Sequence, residues 1–426
     1  AVNACIQFLP ALHGKELITV ESLGNSANLH AVQKAMVECH GSQCGFSTPG
    51  FVMSLFALYK NKDGASRREI DDALAGNLCR CTGYQPIVNA AARMYAVDTQ
   101  RATGAWIDRP GDAGMDAAKL DALLALRKDE TLQLRRDDRL YFAPSTLEDC
   151  ATLIEQRPDA VILAGGTDVG LWVTKQLKAL SCVIYVGNVA GLKSIRETED
   201  AIEIGAAAAL TDAMQAIIRR YPSLEELFLR FASPPIRNAA TLGGNIANAS
   251  PIGDSMPVLL SVGASLVLRQ GKKSRHLPMH EFFLDYQETA LRKGEFIEKI
   301  LVPLPAANQF VAGYKVSKRF DQDISALCGA FWLALADGKV SDVRIAYGGM
   351  AAVPKRATHC EDALRGAAWN ETSVMNAMKA LADDFAPISD MRASAEYRRE
   401  VSANLLYRFF VEHSNDDATR VYRYGR

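Results

Sequence analysis

Along the first hundred residues apolar positions recur every three to four places, the spacing of helices with one buried face. "NLHAVQKAMVE" sets Leu29, Val32, Met36 and Val37 on one such face. "STPGFVMSLFALYK" offers Ser47 or Thr48 as N-cap and Pro49 at the first helical position, where a missing N–H costs nothing. "SRREIDDALAG" opens with Ser66 and Glu69 in capping-box register, carries Ile70 and Leu74 on one face and stops at Gly76. A fourth helix follows Pro86, so residues 26–97 read as a small helical bundle.

The pattern then breaks. Residues 98–140 are polar, Gly-bearing and charge-dense around one helical stretch, and read as a linker. From about 141 to 310 helical and strand periods alternate. "TLEDCATLIEQ" leads to the short apolar run "AVILAGG", another helix, the strand "CVIYVG" and a hairpin-like "SIRETEDAIEIGA". Residues 311–426 read as a compact α+β domain, in which two apolar runs flank Asp337-Gly338, a strong hairpin turn, before helices near 371–385 and 391–413. Residues 1–25 belong to none of these patterns.

The length of 426 residues suits about three domains. Lys plus Arg number 48 and Asp plus Glu 49, a net charge of -1, so no basic excess points to nucleic acid. No apolar run approaches the ~20 residues of a membrane span. The first residue is Ala1 rather than methionine, so a segment before it is expected to have been cleaved or removed, and a signal peptide is neither seen nor excluded. Nine cysteines, an odd number with one tight pair, suit metal ligation in a reducing cytoplasm better than disulfides.

Three stretches carry chemistry. Cys44, Cys79 and Cys81 lie in loops at helix ends, where a bundle can bring thiolates together for zinc or an iron-sulfur cluster. Cys79 and Cys81 are too close for a disulfide to be the easier reading. "LAGGTD" (163–168) and "TLGGNIANASPIGD" (241–254) place paired glycines where backbone N–H groups can meet an anion such as pyrophosphate. Neither is a Rossmann or P-loop fingerprint. "YKVSKRFDQDISA" (314–326) mixes cations with acidic and polar groups, as a solvated edge strand or a ligand loop would.

Together "HGSQCGFSTPGFVMS", "LAGNLCRCTGYQPI", "ILAGGTDVGLWVTK", "ATLGGNIANASPIGD" and "YKVSKRFDQDISA" resemble the small iron-sulfur and FAD subunit of bacterial xanthine dehydrogenases, in the molybdenum hydroxylase family. The resemblance implies a helical [2Fe-2S] domain, an α+β FAD-binding domain of the vanillyl-alcohol-oxidase type and a C-terminal α+β flavoprotein domain, preceded by a remnant of a plant-type ferredoxin domain. It implies Cys44, Cys79 and Cys81 as ligands of the helical-domain cluster, with Ser47 standing where a fourth cysteine is expected. Cys39 is a conceivable substitute only if "CHGSQC" refolds, and Ser47 could instead merely cap the next helix. Cys5 matches a ligand of a first cluster whose other cysteines would precede Ala1.

For FAD the resemblance implies two groups of contacts. One is Ala164, Gly165, Gly166, Thr167, Asp168 and Val169. The other is Phe231, Ala232, Thr241, Gly243, Gly244, Asn245, Ser250 and Asp254, with Ile297 packed on the flavin and Lys315 beside it. Tyr286, Asp321, Gln322 and Asp323 fall near the mouth where NAD would bind. The implied function is an electron relay in purine hydroxylation. The molybdenum cofactor would sit on a large partner subunit, in a heterotetramer of two small and two large chains. Related readings are a subunit of an aldehyde-, heterocycle- or carbon-monoxide-oxidising enzyme. A different class is a non-catalytic, Cys-rich zinc-binding or assembly module.

Overall fold

The computed structural model describes residues 1–97, 105–114, 116–126 and 130–414. The chain forms two compact units, Ala1–Asp129 with Ser233–Asn238, and Glu130–Ala232 with Ala239–Arg426.

The first unit is the helical bundle expected from periodicity, with helices Ala31–Glu38, Thr48–Asn61, Arg67–Leu74 and Gln85–Arg93. The Ser66 and Glu69 capping box forms as read. The Ala31–Glu38 helix starts on a cap that the sequence did not signal. His30 is fully buried, its Nδ1 accepts from Val32 N at 3.2 Å, and Gln33 Oε1 accepts from His30 N at 3.1 Å. Val32 and Met36 are buried as expected, but Val37 is 62% exposed, because one helical step past Met36 turns a side chain through about 100°.

The second unit holds three larger sheets and one two-stranded hairpin. A four-stranded sheet runs in the order Leu132–Arg136, Arg139–Ala143, Cys182–Tyr185, Val161–Leu163, and its last three strands are parallel. Its first hairpin corrects the linker reading. Residues 132–140 are strand and turn, not connection, while residues 98–104, 115 and 127–129 of that stretch lie outside the described residues. A five-stranded antiparallel sheet runs Ile195–Glu197, Ala201–Gly205, Phe296–Pro303, Ser265–Gln270, Lys273–Pro278, and its first pair is the hairpin expected from "SIRETEDAIEIGA".

The last sheet runs Gln309–Val316, Leu327–Ala336, Lys339–Gly348, Lys355–Arg356, backed by helices Thr358–Leu364, Glu371–Asp384 and Ala395–Ser414. Asp337 (φ 50°) and Gly338 (φ 72°) turn its central hairpin in the doubly left-handed geometry that suits right-twisted strands. Residues 415–426 lie outside the described residues. Gln309–Val316 is an edge strand, yet Val311 to Lys315 are buried, because one face lies on the core and helices cover it. Lys315 is therefore inside the protein and not on a solvated edge.

Candidate functional site

In the first unit the helical hairpins bring the two cysteine loops together. The Cys44 and Cys81 thiols lie within hydrogen-bonding reach of each other, and the Ser47 hydroxyl reaches Cys79. Ser47 occupies the N-cap position of Thr48–Asn61 but makes no side-chain cap bond. The oxygen faces the Cys79 sulfur, and nearby the Ser42 and Thr48 hydroxyls meet at 2.6 Å. Among the described residues no three His, Cys, Asp or Glu side chains surround one point closely enough for a single metal ion. The donors meet as Cys44 with Cys81 and Ser47 with Cys79, and Cys79 lies near enough to act electrostatically on both Cys44 and Cys81.

Two residues the sequence reading missed hold Cys79. Thr82 Oγ1 donates to its sulfur at 3.2 Å, and the Tyr84 hydroxyl accepts from its N–H at 3.0 Å. The bond from Thr82 is the main reason the Cys79 thiol is pushed down to about 7. A hydrogen bond from the backbone at Phe46 lowers Cys44, and the bond shared with Cys44 raises Cys81. The sequence signal for Thr82 was its place three residues after Cys79; Tyr84, at φ 68°, gave none.

In metal-free protein, alkylation of Cys79 should therefore rise through about pH 7. At the buried Cys150, which burial pushes up to about 12, it should not begin until far more alkaline pH. Peptide mapping across a pH series checks this order, and equal labelling of both at pH 7 contradicts it. Cys39 closes the Ala31–Glu38 helix and packs on the bundle core, so its backbone position serves the helix end. Cys5 is exposed on the short turn Ala4–Ile6.

In the second unit the two glycine loops do different work. The stretch from Ala164 to Asp168 joins strand Val161–Leu163 to helix Val169–Thr174. Among the described residues the N–H groups of Gly165, Gly166, Thr167 and Asp168 donate to no protein acceptor. Gly166 is buried at φ 73°. Gly166 is the buried one of the four and the others are half-buried, so the loop can offer its N–H groups to an outside acceptor such as a phosphate oxygen.

The 241–254 loop corrects the expectation of a second open nest. Thr241 accepts from Gly244 N at 3.1 Å, Gly243 N donates to Ala206 O at 2.9 Å, and Asn245 Oδ1 accepts from Ser255 Oγ at 2.6 Å. Its glycines serve close packing, since a Cβ on Gly243 would fall 2.5 Å from the Ala206 Cβ. A Cβ on Gly165 would fall 1.8 Å from Ala239 O, so the two loops touch backbone to backbone. Ala232 (φ 55°), just after Phe231, and Ala249 (φ 50°), just before Ser250, hold left-handed backbone at a cost of about 1–2 kcal/mol each. Ile297 is buried at a bulge in Phe296–Pro303.

Asp254 and Lys315 meet inside the protein. Lys315 Nζ lies 2.6 Å from Asp254 Oδ2 and 2.8 Å from Ser325 Oγ, and Ser325 Oγ donates to Asp254 Oδ1 at 2.6 Å. Beyond Lys315 the chain loops through Asp321, Gln322 and Asp323. Arg230 secures that loop by donating to Lys315 O, Ser317 Oγ and Phe320 O at 3.0–3.2 Å, with its guanidinium over the Phe320 ring. Asp323 builds the loop by accepting from Arg319 N and Ile324 N, and Gln322 takes φ 53°. A cavity of about 250 Å³ lies beside it, lined by Arg230, Ser317, Phe320 and Arg408 among others. Tyr286 is 60% exposed at the tip of a separate hairpin, Phe283–Asp285 with Glu288–Thr289.

Three family models match in chain order. They are a [2Fe-2S] binding domain at residues 19–92, an FAD binding domain in molybdopterin dehydrogenase at 132–305, and a CO dehydrogenase flavoprotein C-terminal domain at 312–413. The chain belongs to the molybdenum hydroxylase family. A xanthine dehydrogenase of Emericella nidulans is 31% identical over 459 residues, 96% of this chain and 34% of that protein. A nicotinate hydroxylase of the same organism is 31% identical over 500 residues, 94% of this chain and 37% of that protein. The chain thus spans about a third of the length of these curated relatives.

A carbon monoxide dehydrogenase structure from Hydrogenophaga pseudoflava matches with a TM-score of 0.60 at 28% identity, over 65% of this chain and 96% of that one. As a molybdenum hydroxylase chain, the protein joins an iron-sulfur domain, an FAD-binding domain and a C-terminal flavoprotein domain, the fold class read from the sequence.

Proposed function

We propose that the chain is the electron-transfer subunit of a xanthine dehydrogenase. It takes electrons from a molybdenum centre on a large partner subunit and passes them through [2Fe-2S] to FAD and then to NAD, as hypoxanthine or xanthine is hydroxylated. The observation that carries the reading is the presence on one chain of a donor set of three thiols and one hydroxyl and a backbone loop whose N–H groups are free for an anion. Cys44, Cys81, Cys79 and Ser47 would hold the cluster. Gly165 to Asp168 would hold the FAD pyrophosphate, with Lys315 and Asp254 as a fixed charge pair beside the flavin. When bound, the cluster carries single electrons and the flavin pairs them for hydride transfer.

The loop that Arg230 secures would border the entry for NAD. Cys5 would ligate a first cluster only where three further cysteines are supplied to it. The compartment that suits nine free cysteines is a reducing cytoplasm. The nicotinate hydroxylase relative keeps open a heterocycle other than a purine as substrate of the partner.

The test is to purify the assembly from its native source and measure NADH formed on xanthine, nicotinate and an aldehyde, with its mass. NADH from xanthine by a complex of two small and two large chains is the expected result. Turnover only on nicotinate or an aldehyde overturns the purine assignment, and xanthine turnover by this chain alone overturns the partner.

A further inference from the structure

Ser325 lies in the 314–326 stretch but receives no ligand assignment from the resemblance, yet it closes a deeply buried charged cluster of the second unit. Asp254, Lys315 and Ser325 are 1%, 7% and 1% exposed. The carboxylate has one donor on each oxygen, Lys315 Nζ on Oδ2 and the Ser325 hydroxyl on Oδ1. The ammonium in turn gives one N–H to Asp254 and one to Ser325. Asp254 stands at the start of helix Ser255–Ser261 but its side chain makes no cap bond there, so the carboxylate is spent on this cluster. The Cys328 thiol lies 3.9 Å from the Asp254 carbonyl.

A lysine held by two partners on different elements has a fixed direction, and one held by a carboxylate alone does not. Deleting the Ser325 hydroxyl leaves a buried carboxylate oxygen without a donor. The ammonium is then the only group able to serve both oxygens, so it moves onto the carboxylate and its charge is more fully cancelled. Its third N–H is the one the cluster leaves over.

We infer that Ser325 is a positioning residue: by sharing the Lys315 ammonium with Asp254 and donating to the carboxylate itself, it keeps the lysine charge from being fully cancelled, so that the cation stabilises electron density arriving on the flavin. This rests on the reading that FAD binds beside Lys315. A fixed cation favours the reduced form, so loss of the serine hydroxyl should lower the flavin midpoint potential. Ser325→Thr, which keeps a hydroxyl, should restore it.

The experiment is a spectroelectrochemical titration of the flavin in the purified complex for the native protein, Ser325→Ala and Ser325→Thr, with FAD content measured on the same samples. The expected result is full FAD content and, in the alanine variant alone, a reduction equilibrium about tenfold less favourable, equivalent to about 30 mV for a two-electron couple. FAD bound with the same potential in all three proteins overturns the inference and leaves the flavin reading standing. Loss of FAD from the alanine variant with no potential shift in the fraction retained also overturns it, since that is a purely structural role. A native complex without flavin overturns the flavin reading first, and this inference with it.

Discussion

Ser47→Cys will change the low-temperature electron-paramagnetic spectrum and the midpoint potential of the helical-domain cluster, and will make its iron about tenfold slower to leave, on the scale at which single groups around metal sites act. Metal ligation uses the thiolate, and a free thiol ionises near 8.5, a value no serine hydroxyl approaches. The Ser47 oxygen already points at Cys79 instead of capping its helix, so the new sulfur needs no rebuilding of the backbone. Cys79 would gain a matched partner, as Cys44 has in Cys81. Because the hydroxyl makes no cap bond, the substitution should leave the stability of the Thr48–Asn61 helix unchanged. An identical spectrum and potential in both proteins would show that position 47 does not ligate. A destabilised helix would return Ser47 to a structural role.

Gly165→Ala will abolish FAD retention. The added carbon would sit 1.8 Å from Ala239 O and 2.8 Å from Ala240 N, backbone atoms that no side-chain rotation can move aside. Either the Ala164–Asp168 loop or the 239–244 segment must shift, and the N–H groups of Gly165 to Asp168 lose their common aim. The control is Gly191→Ala, where a Cβ meets nothing within 4 Å, and which should retain FAD at the native level. Flavin absorbance per chain after gel filtration checks both. Full FAD in Gly165→Ala would remove the loop from the binding site.

What could be read beforehand follows from which interactions are local. The bundle helices and the Asp337-Gly338 hairpin were legible because period, caps and turn chemistry lie within a few residues. The Leu132–Ala143 hairpin was not. Its outer strand, "LQLRR", is an edge strand with four exposed positions, so its composition is that of a connector. Val37 was misplaced because Met36 and Val37 are adjacent, and four apolar residues spread over about two and a half turns do not define which of the two faces the core.

The same division runs through the sites. The sulfur donors were visible as letters, but their pairing depends on how two loops some 35 positions apart meet. Both glycine pairs looked like anion cradles. Only the hydrogen bonds separate the loop with vacant N–H groups from the one that satisfies its own. Lys315 and Asp254 lie 61 residues apart, and nothing local in the sequence announces Ser325 as their common partner.

The central claim is that this one chain holds both a sulfur-ligated iron cluster and a flavin. The most direct test is the visible spectrum of the purified chain, with iron, acid-labile sulfide and FAD measured against protein. The account predicts flavin bands over a broad iron-sulfur absorption, iron and sulfide in equal amounts, and FAD equimolar with the chain. A colourless protein carrying zinc in place of iron, with no flavin, would contradict it.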